Sequence, residues 1–160
     1  MESKEKCKAA KVYLAQIGKR EAELQSLQEV ILRMKEQMQT PKASAFTSVK
    51  VKGSGKVDGF ERGMIKLLDL EAKYNEIVFE YLIIRDKAID QLMKVADPLQ
   101  TDILFSRYFK GMDYRSIAKD MEVSLPYAFL LHDKALESFY DLHLSRQHSE
   151  QASEGAQHLA

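Results

Sequence analysis

Proline does most to limit what this chain can fold into. There are three in 160 residues, at 41, 98 and 126. A proline inside a helix removes a hydrogen-bond donor and clashes with the preceding turn, so these positions mark where helices stop or start. The spans between them are long. Residues 7–39 hold no proline and a single glycine. Cys7, Ala10, Leu14 and Ile17, then Leu24, Leu27, Ile31, Met34 and Met38, follow three- and four-residue steps. That spacing predicts one apolar stripe on a helix about 48 Å long, too long to be buried alone. The register slips near Glu21 and Leu24, which argues against a perfect coiled coil. Thr40-Pro41 ends the segment.

Residues 42–57 (KASAFTSVKVKGSGKV) have no helical period. Lys50, Lys52 and Lys56 surround Gly53-Ser54-Gly55 and predict a flexible, basic connector. The GSGK string lacks the spacing of a phosphate-binding loop, and no buried strand precedes it. A second helix is expected from about Asp58 to Val95, where Leu67, Leu70, Tyr74, Ile77, Tyr81, Ile84 and Ala88 step by three and four without a break. The connector is long enough for the two helices to return antiparallel, each covering the other's stripe. A homodimer through the long helices would satisfy the same pattern, so both arrangements stay open at this point.

From residue 97 the punctuation becomes denser. Asp97 before Pro98 predicts a capped helix start with proline at its first position. Gly111 ends that helix, Asp113 caps a helix of about two turns, and Met121-Glu122-Val123 makes a short turn. Ser124 then caps a longer helix that tolerates Pro126 in its first turn. Residues 97–144 thus have helix-turn-helix spacing. The expected trihelical core is Ile103, Leu104, Tyr108, Ile117, Ala118, Met121, Val123, Ala128, Leu131, Ala135, Leu136 and Phe139. Ala118 is placed where two helices must approach closely. The fold expected is all-α: a long helical hairpin over 1–96, a trihelical head over 97–144, and a polar tail over 145–160 expected to be disordered.

Charge and composition exclude several functions. The 24 basic and 24 acidic side chains cancel, but they are segregated. Residues 1–66 carry +6, residues 67–96 carry −2, the head carries −3 and the tail −1. No run reaches the roughly 18–20 apolar residues that span a bilayer, and the first residues show no secretory pattern. A lone cysteine forms no internal disulfide, so a reducing, cytoplasmic setting is expected. No nucleophile elbow and no His-Glu-x-x-His motif appears. His132, His143, His148 and His158 lack ligand spacing. No enzyme activity, metal or cofactor is expected. His132 reads as a histidine at the edge of the core with one hydrogen bond.

The head also resembles a known family. Leu104, Arg107-Tyr108-Phe109, Gly111, Tyr114, Ile117-Ala118, Val123-Ser124 and then His132, Lys134-Ala135-Leu136 look like region 4 of bacterial sigma factors. They look more closely like the sigma-region-4-like regulators of phages and prophages of Gram-positive bacteria, of the ArpU and RinA type. Upstream, Asp58, Ile65 and Leu70-Glu71 fit the start of that family's second helix more weakly.

The resemblance implies a phage transcriptional regulator that binds double-stranded DNA, with possible contact to host RNA polymerase. It would place Arg115, Ser116 and Lys119 near phosphates, with Ser124, Tyr127 and Lys134 on the DNA side of the last helix. Lys50, Lys52 and Lys56 would add phosphate contacts. The groove-facing positions Leu125, Pro126, Phe129 and Leu130 are apolar, where relatives carry hydrogen-bonding side chains. That set points instead to a protein-interaction module holding RNA polymerase or another phage protein. Burial of Phe129 and Leu130 would favour DNA, and exposure would favour a protein partner. Glu122 stands where relatives carry glycine. If its backbone is left-handed, it costs roughly 1–2 kcal/mol.

Overall fold

A computed structural model describes residues 1–39, 59–147 and 150–151, and among them the chain is all-α, with no strand. The elements in order are α1 (Ser3–Gln39), α2 (Gly59–Leu92), α3 (Pro98–Tyr108), α4 (Tyr114–Asp120) and α5 (Leu125–Phe139). A π-helical turn, Tyr140–Leu144, follows α5 directly. No described helix is long and apolar enough to cross a membrane. The expected connector with Lys50, Lys52 and Lys56 lies outside the described residues, as does most of the tail.

The chain divides into two compact units. One comprises residues 1–19 and 83–160, the other residues 20–82. The division differs from the expected boundary at 96/97, and the core explains why. Ala10 and Leu14 of α1, Leu92 of α2 and Val95 share one buried cluster with Ile103, Leu104, Ile117, Ala128, Ala135, Leu136 and Phe139. A trihelical core of under 50 residues buries too small a fraction of its surface to be secure. The ends of both long helices therefore complete it. Met121 and Val123, expected inside, are half-buried against this cluster, while Tyr140 and Leu144 are buried in it.

Polar contacts tie the two ends of the chain together within this unit. Lys6 pairs with Asp141 at 2.8 Å, and the Ser3 hydroxyl donates to the Glu137 carboxylate. Gln91 receives two donors, the Tyr13 hydroxyl on its side chain at 2.7 Å and His143 Nε2 on its carbonyl at 2.6 Å. Backbone beyond Leu144 stays helical at 145–147 and 150–151, within the stretch whose polar sequence predicts a disordered tail. Buried Leu144 anchors that stretch, and the Ser145 hydroxyl donates back to the Asp141 carbonyl.

In the unit of residues 20–82, Ile31, Leu67 and Ile77 are buried, with Leu24, Leu27, Met34, Leu70, Tyr74 and Tyr81 half-buried. These are the expected stripe positions. The register slip is real and has a cause in the sequence. After Ile17 the half-buried position is Arg20, an extra three-residue step, while Glu21 is exposed. Arg20 reaches Glu80 at 3.6 Å and Glu23 at 3.3 Å. Farther along, Lys35 meets Glu71 at 2.7 Å. Rising numbers in α1 thus meet falling numbers in α2.

Candidate functional site

The last three helices are set by their caps. Asp97 accepts from the Leu99 N–H at 2.9 Å, with Pro98 in the first turn of α3. Asp113 accepts from the Ser116 N–H at 2.7 Å and Ser124 from the Tyr127 N–H at 3.3 Å. All three caps fall at the expected residues. The Ser116 N–H bond also holds the Asp113 carboxyl below its ordinary value, since hydrogen bonds to the charged form favour it. Gly111 has φ 67°, which lets the chain reverse after α3.

The turn between α4 and α5 is tight. Val123 N–H donates to the Ala118 carbonyl at 2.9 Å, and Glu122 sits between them with φ 56°. This is the left-handed backbone for which glycine is the unstrained residue. Ala118 is 5% and Ala128 0% exposed where α4 meets α5. Small side chains there allow the two helices to close.

With its inward face fixed by Ala128, Leu131, His132, Ala135 and Leu136, the outward face of α5 is defined. At about 100° per residue, Pro126, Tyr127, Leu130, Asp133 and Lys134 fall on one side. All five are exposed. Phe129 stands at the edge, 45% exposed, its ring 4.6 Å from that of Tyr114. Arg107 also packs on Tyr114. Its guanidinium lies 4.6 Å from the ring centroid and donates to the Met112 carbonyl at 2.8 Å. Tyr127 and Leu130 are 45% and 52% exposed. Leu125 departs from this set, being half-buried and packed on the core.

The residues expected near phosphate are also located. Arg115, Ser116 and Lys119 are exposed on α4, where three- and four-residue spacing places them together. Ser124 is exposed, but its hydroxyl is committed to the cap. Asp120, Glu122 and Asp133 are exposed in the same helix pair. The Tyr114 and Arg107 supports lay within the quoted motif, but spacing alone gave them no role.

His132 is not on this face. It is 3% exposed, with Nε2 3.0 Å from the Tyr108 hydroxyl, as the reading of a core-edge histidine with one hydrogen bond required. Asp133 lies 3.7 Å from Nδ1, yet burial dominates and holds the ring below its ordinary value of 6.5. Burial therefore favours the neutral ring over an ion pair with Asp133. Among the described residues no group of three or more acidic, histidine or cysteine side chains is placed to hold a metal ion.

No family model, curated protein or solved structure matches the chain.

Proposed function

We propose that this chain is a regulator of transcription of the sigma-region-4-like type, acting on phage genes. Its architecture is a long antiparallel helical hairpin followed by a helix-turn-helix head over 97–144. We infer further that the head holds a protein component of the transcription machinery, host RNA polymerase being the first candidate, through the outward face of α5.

One observation carries this reading: Tyr127 and Leu130 are exposed on that face and Phe129 is exposed at its edge, where base readers would be expected in a DNA-contacting helix. Leu130 has no donor or acceptor with which to read a base edge. Exposed aromatic and aliphatic side chains beside charged ones fit the centre and rim of a protein interface. The head's net charge of −3 also opposes a phosphate backbone.

A second reading, direct DNA binding, is favoured by exposed Arg115, Ser116 and Lys119 on α4 beside Tyr127 and Lys134 on α5. One pair of assays separates the two. Full-length chain is tested for co-purification with RNA polymerase, and for gel shifts of phage genomic fragments at low and moderate salt. Polymerase capture that is lost in Leu130→Glu, with the circular dichroism unchanged, supports the protein contact. Shifted fragments without polymerase capture overturn it in favour of DNA. In that case Arg115→Glu/Lys119→Glu should weaken binding to every sequence and flatten its salt dependence.

A further inference from the structure

The stripe described for α2 is not the helix's only apolar row. Ile65, Leu68, Ala72, Asn75, Phe79 and Leu82 alternate strictly by three and four residues, and all six are exposed. Five of them lie two positions before Leu67, Leu70, Tyr74, Ile77 and Tyr81. Two residues on a helix is a rotation of about 200°, so most of this second row faces away from the covered stripe. Asn75 stands nearest to it, at the rim of a groove lined by Gln28, Ile31, Leu32 and Tyr74. A helix apolar on opposite sides is one that has neighbours on both.

We propose that a second copy of this chain covers the row, making a parallel, in-register dimer through α2. The row is a heptad seam, and a helix that fits such a seam must carry a matching one. A second copy does so by construction. Asn75 sharpens the assignment, because it is the single polar side chain in the row. A carboxamide both donates and accepts, so Asn75 from each copy, meeting at the same height, satisfies the other. Polar residues at single seam positions fix register in this way.

The size of the surface agrees. The five large apolar side chains Met64, Ile65, Leu68, Phe79 and Leu82 are 38–68% exposed, or roughly 500 Å² per copy. Two copies would bury roughly 1,000 Å², where specific interfaces begin. Asp69, Glu71 and Glu76 border the row beside Arg62 and Lys73, a mixed charged rim of the kind that surrounds the centre of a protein interface. Glu71 already holds Lys35 at 2.7 Å, which reduces repulsion between copies.

Sedimentation equilibrium of the full chain tests this. The expected species is a dimer, with Leu68→Glu and Phe79→Glu each weakening it at least about tenfold, a change of about 1.4 kcal/mol. Both positions are exposed, so circular dichroism should be unchanged. In a Cys7→Ser background, Leu82→Cys should form an interchain disulfide on oxidation. A monomer into the high micromolar range overturns the proposal, as does a dimer indifferent to Phe79→Glu. A dimer that fails to cross-link through Leu82→Cys overturns the in-register arrangement. Leu130→Glu should leave the dimer intact, so the result stands apart from polymerase capture.

Discussion

The phenol oxygen of Tyr108 and Nε2 of His132 lie 3.0 Å apart and join α3 to α5 inside the core. Their rings stack with centroids 5.8 Å apart, and Tyr114 meets the histidine edge-on at 5.3 Å. Tyr108→Phe keeps the packing and removes the hydroxyl. A buried ring nitrogen then loses its partner, which costs about 1–3 kcal/mol. Chemical denaturation should show a lower midpoint with an unchanged slope. A midpoint equal to that of the parent chain would mean that the bond contributes nothing.

Acid should loosen the same region. Burial holds His132 below 6.5, against a smaller opposing effect of Asp133. Burial also lowers His143, against the bond to the Gln91 carbonyl. The unfolded chain therefore binds protons more readily than the folded one below about pH 6.5. The stability conferred by the neutral rings is complete above that pH and is lost as pH falls towards the lowered folded values. Urea midpoints should drop between pH 7.5 and 5.5, and His132→Gln should drop less over the same interval. Parallel pH profiles for the two chains would remove His132 as the cause.

Two left-handed residues predict opposite effects. Glu122→Gly relieves the strain at φ 56° and should stabilise by about 1 kcal/mol, whereas Gly111→Ala imposes it at φ 67° and should destabilise similarly. Nothing lies within 4 Å of a Cβ built on Gly111, so backbone strain alone is at work there. Thermal midpoints moving in opposite directions are the expected result. Movement in the same direction contradicts it.

Ala128 and Leu130 are two residues apart on α5, yet one is 0% and the other 52% exposed. Ala128→Leu should cost about 1–3 kcal/mol by overpacking the shared core. Leu130→Ala should change stability by under about 0.5 kcal/mol. Thermal melts of the two variants check the phase of the helix. Equal losses would place Leu130 in the core and remove it from any interface.

Much of the local structure was legible because it is chemically local. Asp97, Asp113 and Ser124 cap helices through N–H groups two or three residues away, a relationship that spacing reveals. The strain at Glu122, φ 56°, could be suspected only through the family resemblance, which places glycine at that turn position. What was hidden is what depends on distant residues. No local pattern says that Ala10 packs with Phe139, or that Tyr108 finds His132. The exposure of Phe129 could not be decided from helix phase alone, since the ring of Tyr114, from the preceding helix, packs against it. The second row on α2 is masked in the sequence because the covered stripe already accounts for the helical period.

The shared core of Ala10, Leu14, Phe139, Tyr140 and Leu144 has a consequence for how the protein comes into being. Ala10 and Leu14 are held by residues more than 120 positions later in the sequence, so the loop to be closed is long. Chains halted before Phe139 should be cut by protease within α3 and α4 far faster than the finished protein. Equal resistance would show that the head closes without its N-terminal half-helix. On this geometry, the apolar face around Ala10 and Leu14 waits during synthesis until α5 arrives to cover it.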